Sequence, residues 1–152
     1  MGNLRKVVSA NITISSRHCD MMIQLLPQYT EGAAFHLYHS IESLATAGIV
    51  ARTNRRPERT HMFRIDDFHG SFYSVLQSET LQNFEILMKT MELMIKSRSS
   101  SDGRQGRFKV LYFDNPRQTE PKDLLTSEEV ESLKKTWDDL RDTLIQEIKS
   151  LN

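Results

Sequence analysis

The stretch AAFHLYHSIESLATAGI, residues 33–49, is the most strongly patterned part of the chain. Small residues are frequent in it, which would allow a second helix to approach closely. Thr30 before it is typical of a helix N-cap, and Gly48 near its end is typical of a helix stop. The pattern therefore predicts a helix over residues 31–48. Its apolar stripe follows the helical period at Ala34, Leu37, Ile41, Leu44 and Ala45.

Further helical patterns lie on both sides of this stretch. Residues 4–26 precede it, although a β-branched run at 7–14 weakens the helical pattern there, and Pro27 ends it. A short helix is predicted at residues 62–76 and a long one at 79–97, with Ser78 as its cap. Thr126 and Glu129 have the spacing of a capping box, which opens a last helix over residues 127–151. Residues 107–114 are expected to form an extended arm, because a lone strand would have no partner.

Length and composition indicate one soluble domain. The chain has 152 residues, of which 38% are hydrophobic and 26% charged, values ordinary for a globular protein with one core. We therefore predict an all-α fold, an up-and-down bundle of four to five helices, as a single domain over residues 1–152. No apolar run approaches the roughly 18 residues needed to span a membrane. The one cysteine, Cys19, cannot form an internal disulfide, so we expect a cytoplasmic protein without membrane contact.

The segment after the patterned helix, residues 50–60, is predicted to be a basic loop, because Pro57 excludes a continuous helix. A planar guanidinium matches pairs of phosphate oxygens, so arginines in a cluster indicate phosphate or nucleic-acid contact. The net charge of the chain is zero, and such contact must therefore come from this local cluster. The alternative is a solvated loop paired with acidic residues of the last helix, such as Asp138, Asp139 and Asp142. The candidate binding residues are Arg52, Arg55, Arg56 and Arg59.

A second group of polar residues lies on the patterned helix itself. His36, His39 and Glu42 follow one another at intervals of three residues. Two of them could share a metal with a ligand from another helix, but bundles of that kind use repeated Glu-x-x-His pairs, which this sequence lacks. The favoured interpretation is a histidine in the core seam with one satisfied hydrogen bond. We expect no metal site and, without a glycine-rich phosphate loop, no cofactor.

Two arginine–histidine pairs, Arg56 with His61 and Arg64 with His69, each have four residues between them. A histidine that titrates near neutral pH can move the 2′-hydroxyl proton of RNA, while an arginine stabilises charge on the phosphorane. These four residues are therefore the candidate catalytic residues for RNA cleavage. The same spacing arises easily by chance in a chain rich in arginine. His61 has an alternative role as the residue that fixes the turn after Thr60.

The sequence resembles HEPN domains in three features. These are the helix AAFHLYHSIESLATAGI, the Arg-Thr-His at 59–61, and the later order of a long helix, an irregular arm and a final helix. HEPN domains are the small helical domains of the higher-eukaryote and prokaryote nucleotide-binding family. The resemblance begins at about residue 30 and covers most of the chain. It implies a helical bundle that is commonly a homodimer. Family members act as metal-independent RNases, as toxins paired with a nucleotidyltransferase antitoxin, or as non-catalytic binding domains.

The resemblance also has a departure that bears on activity. Catalytic members carry their Arg–His motif on a late helix, whereas the last predicted helix here contains no histidine. The leading hypothesis is therefore a HEPN-like binding module that contacts RNA, a nucleotide or a partner protein through the basic loop. The alternatives are a metal-independent RNase of a toxin–antitoxin system and a purely structural interaction protein. The expected partners are a second copy bound through the second or last helix, RNA or a nucleotide, and a nucleotidyltransferase-type antitoxin.

Overall fold

The computed structural model describes residues 2–57, 68, 70–71, 77–92 and 126–151. All regular structure in these residues is helical, so the predicted all-α class is confirmed. Of the predicted short helix at 62–76, residues 68, 70 and 71 are described and are helical. The extended arm predicted at 107–114 lies outside the described residues. The four long helices are α1 (Gly2–Leu25), α2 (Thr30–Thr53), α3 (Ser78–Glu92) and α4 (Ser127–Ser150).

The first two helices form an antiparallel pair joined by a tight turn at residues 26–29. Ser15 of α1 contacts Ser40 of α2, and three residues later His18 contacts His36. The β-branched run at 7–14, which weakened the sequence pattern, is helical throughout. Tertiary packing outweighs the small propensity difference, because Val8 in this run is buried in the core.

Both predicted ends of α2 are corrected by the structure. Thr30 is the first helical residue rather than the N-cap, which is Tyr29, and no side chain caps this end. Gly48 does not stop the helix, which continues to Thr53. A glycine inside a helix costs about 1 kcal/mol relative to alanine, and the burial of Ile49 and Val50 beyond it offsets that cost.

The remaining helix ends agree more closely with the sequence. α3 begins at Ser78, which is its first helical residue and not its cap, and it is described as far as Glu92. α4 begins after Thr126, whose hydroxyl accepts a hydrogen bond from the Glu129 amide while the Glu129 carboxylate accepts one from the Thr126 amide. The predicted capping box is thus confirmed.

Helix α2 lies at the centre of the fold. It packs against α1 on one side and α4 on another, and α4 in turn packs against α3. From residue 44 to residue 50 every side chain of α2 is buried. None of the helices in the described part of the chain combines the length and apolarity needed to cross a membrane. The largest buried side chains include Trp137, Phe68, Phe84, Met22, Leu37 and Ile41.

Candidate functional site

The arginine cluster lies at the C-terminal end of α2. Arg52 belongs to the last turn of the helix rather than to a loop, which corrects the prediction of a loop from residue 50. Asn54 ends the helix in the left-handed conformation, with φ 55° and ψ 29°, and its amide donates to the Val50 carbonyl. Arg55 and Arg56 follow directly, and all three arginine side chains are exposed.

Short-range hydrogen bonds hold the turn that carries Arg55 and Arg56. The Thr53 hydroxyl donates to the Ile49 carbonyl at 2.7 Å and accepts from the Arg55 amide at 3.2 Å. The backbone that follows α2 is therefore fixed relative to the helix, and the arginines project from a defined position.

The acidic pairing considered for these arginines is not seen for Arg52, Arg55 or Arg56. Their guanidinium groups form no ion pair with any residue that the structure describes. Asp138 of α4 pairs with Lys134 instead, one turn away on the same helix. Within the described part of the chain, no acidic side chain neutralises these three positive charges.

Of the four candidate catalytic residues, Arg56 is described, whereas His61, Arg64 and His69 lie outside the described residues. The binding candidate Arg59 also lies outside them. The spacing that suggested RNA cleavage therefore stays a prediction.

A histidine cluster lies at the seam between α1 and α2. His18 Nδ1 and His36 Nδ1 are 2.9 Å apart, a hydrogen bond across the two helices. The ring of His39 stacks on that of His18 with a centroid distance of 5.4 Å, and the ring of Phe35 meets His39 edge-on at 4.3 Å. All three histidines are half-buried. His36 thus forms a hydrogen bond across the seam, the role that the sequence favoured for a histidine of this helix.

Burial affects the protonation of this cluster. The pKa of His18 is lowered from 6.5 to about 4. Desolvation by burial is the largest cause, and repulsion by charge on His39 and on His36 adds to it. Desolvation also lowers the pKa of His36. Both rings are therefore uncharged at neutral pH.

The cluster is arranged for hydrogen bonding and not for metal binding. The ring centroids of His18 and His36 are 5.1 Å apart, and their Nδ1 atoms are 2.9 Å apart. The centroids can be this much farther apart than the nitrogens only if the two nitrogens point at each other almost in line. Metal ligands instead direct their lone pairs to a common point beside that line. Among the described residues, no set of three or more His, Cys, Asp or Glu side chains is arranged to hold a metal ion, and this includes His36, His39 and Glu42.

A buried polar network adjoins the histidines on the core side of the seam. Ser15 and Ser40 exchange hydroxyl-to-carbonyl hydrogen bonds of 2.8 and 2.9 Å between α1 and α2. The Trp137 indole of α4 donates to the Ser40 hydroxyl at 2.9 Å, and the Cys19 thiol lies 3.0 Å from the same hydroxyl. Arg141 of α4 donates to Ser15 and to Ser16. The network joins three helices, with Ser40 of α2 bonded to both α1 and α4.

Sequence reasoning missed His18, Ser15 and Arg141. The available signal was the position of Ser15 and Cys19 within the apolar stripe of the first helix, next to Met22. Small polar residues at core positions indicate a polar contact between helices, and a histidine beside them would then lie at the same seam.

A polar cleft of about 340 Å³ lies between α3 and α4. Its lining includes two carboxylates and no basic side chain, so it does not suit a phosphate ligand. The lining residues are Glu79, Thr80, Asn83, Thr136, Asp139, Leu140 and Thr143. The arginine cluster therefore remains the better candidate for binding an anion.

Comparisons of the chain with protein-family models, with curated proteins and with solved structures find no match.

Proposed function

We propose that the chain is a HEPN-like helical binding module that contacts RNA phosphates through Arg52, Arg55 and Arg56. The observation that carries the proposal is the exposure of three guanidinium groups within five residues, none of them in an ion pair with a described residue. Arginine is the side chain best suited to phosphate, because its planar donors meet two oxygens at once.

The position at a helix C-terminus works against anion binding, but only weakly. The aligned peptide dipoles place about half a negative elementary charge at this end of α2. Three arginine charges outweigh it, and those of Arg55 and Arg56 lie beyond the last helical residue. The local potential is therefore positive although the whole chain has no net charge.

An extended RNA strand suits this surface better than a mononucleotide. Nucleotides usually bind in concave pockets that bury most of the ligand, whereas these three arginines project from an exposed helix end. A strand can pass several phosphates across such a surface, with the arginines contacting its backbone.

Replacement of Arg52, Arg55 and Arg56 by alanine tests the proposal. We expect binding of a labelled single-stranded RNA to weaken at least tenfold in a fluorescence anisotropy titration. For the wild type, the logarithm of affinity should fall with the logarithm of salt concentration with a slope of about −2, since each neutralised phosphate of a single strand contributes roughly −0.7. The slope should approach zero in the triple variant.

A matched control removes the same charge from another helix. Arg5, Lys6 and Arg17 are exposed on α1, and their replacement by alanine should leave RNA affinity within about twofold. Equal losses in the two triple variants would refute a specific role for the α2 arginines. RNA that is cut in the presence of a chelator, and that stays intact with His61→Ala and His69→Ala, would instead support the metal-independent RNase.

We also propose that the chain forms a homodimer, and that α1, rather than the expected α2 or α4, forms the contact between the two copies. Most of α2 is buried within the chain, and the exposed side chains of α4 are polar or charged. On α1, Ile14 and Met21 are 41% and 39% exposed and lie one heptad apart, on the same face of the helix. We propose that this face contacts a second copy.

A further inference from the structure

The hydrogen bond between His18 and His36 depends on the number of protons that the two rings hold. Its nitrogens face each other almost in line, so one Nδ1 carries the proton and the other offers its lone pair. A proton added to the accepting nitrogen removes the bond and leaves two N–H groups opposed. A proton added to the donating ring leaves the bond but puts a charge in a half-buried cluster.

We propose that His18, His36 and His39 form a proton-operated latch between α1 and α2, closed at neutral pH and opened by acid. The third ring supports the arrangement, because His39 stacks on His18 and holds it from the side. If both His18 and His36 were protonated, the two positively charged rings would repel each other, because their Nδ1 atoms are only 2.9 Å apart. The repulsion acts across the contact between α1 and α2, because the two rings belong to different helices.

The other ionisable groups near the latch do not offset this effect. The charges that act on His18 are those of His39 and His36, both on α2. On α1, the neighbouring Arg17 and Asp20 are exposed and screened by solvent. The thiol of Cys19 contacts the Ser40 hydroxyl on the core side. Within the described residues, no carboxylate is among the groups whose charge shifts the pKa of His18.

The sign of the pH dependence follows from the direction of the shift. In the unfolded chain His18 takes up a proton near its ordinary pKa of 6.5, whereas in the folded chain its pKa is about 4. As the pH falls, the unfolded state binds the proton first, and folding loses free energy. The contribution of His18 is therefore fully present above pH 6.5 and is lost progressively as the pH falls to about 4.

The experiment compares the wild type with a variant that keeps the hydrogen bond but cannot be charged. The amide of asparagine occupies the place of imidazole Nδ1, so His18→Asn with His36→Asn retains one donor and one acceptor. Urea unfolding is followed by the fluorescence of Trp137, the single tryptophan, whose indole donates to Ser40 beside the latch. His61→Asn removes one imidazole outside α1 and α2 and serves as the control.

Between pH 7 and pH 5 we expect the unfolding equilibrium constant of the wild type to rise about tenfold more than that of the double variant, after allowance for solvent screening of half-buried rings. The control should follow the wild type. Parallel curves for wild type and double variant would overturn the latch.

A second measurement applies even if the double variant fails to fold. Imidazole nitrogen resonances of the wild type, followed by NMR from pH 8 to pH 4, should show His18 taking up its proton near pH 4 and His36 taking up its proton below its ordinary pKa. Titration of all five histidines near pH 6.5 would refute the proposal.

Discussion

At the scale of single residues, Ser40 joins three helices. Its hydroxyl donates to the Ser15 carbonyl of α1, accepts from the Trp137 indole of α4, and lies within the central helix α2. A buried polar group of this kind is stabilising only while each of its partners is satisfied.

Ser40→Ala removes the hydroxyl and leaves the buried Trp137 N–H without its acceptor. We expect the free energy of unfolding to fall by about 1–3 kcal/mol, measured by urea denaturation. Ser132→Ala, at an exposed position of α4, should change it by less than about 0.5 kcal/mol. A loss at Ser40 no greater than that of the control would show that the network contributes little to stability.

At the scale of the helices, local signals predicted the end of α1 and the start of α4, but not the end of α2. Thr126 and Glu129 satisfy both halves of a capping box, and α4 begins where the sequence predicted. Gly48 offered an equally familiar stop signal for α2, yet the helix continues to Thr53. Burial on all sides of α2 decided that end, because the residues after Gly48 gain more from core contact than the glycine costs.

The cap of α4 makes a separate prediction. Thr126→Ala should lower the free energy of unfolding by about 1 kcal/mol, since it leaves the Glu129 amide without its acceptor. Thermal unfolding followed by circular dichroism measures the change. Thr136→Ala, in the exposed middle of the same helix, provides the comparison and should have a much smaller effect. Equal effects at the two positions would argue against a role for the cap.

At the scale of the whole molecule, the arginine cluster and the exposed apolar pair lie on different helices. The chain has no net charge, yet three exposed arginines lie within five residues at the end of α2, while Ile14 and Met21 are exposed on α1. The proposed RNA contact and the proposed contact between copies therefore use different surfaces.

The proposed contact between copies is tested at this scale. Light scattering coupled to size-exclusion chromatography should give the wild type twice the chain mass of 17.6 kDa. Ile14→Ser with Met21→Ser should give the monomer, because polar side chains remove the apolar contact. Ile86→Ser changes a more exposed apolar residue, on α3, and should leave the dimer intact. A monomeric wild type would exclude the dimer at the concentration used.

Sequence alone was sufficient for the class of fold and for much of its helical layout. The all-α class, the end of α1 before Pro27 and the capping box of α4 all depend on residues within a few positions of one another. Such signals act through backbone conformation and helical period, which neighbouring residues determine. The arginine cluster was visible for the same reason, as four like side chains in one short segment.

Only the tertiary structure decided which of these residues meet. The bond between Trp137 and Ser40 joins positions 97 residues apart, and His18 reaches His36 only because α1 folds back on α2. Packing of α1 against α2 adds His18 to the pair His36 and His39, and burial in this cluster of three lowers the pKa of His18. The burial of a side chain and its hydrogen-bond partners depend on how the helices pack. Packing brings together residues that are distant in the sequence, and a local sequence pattern does not contain that information.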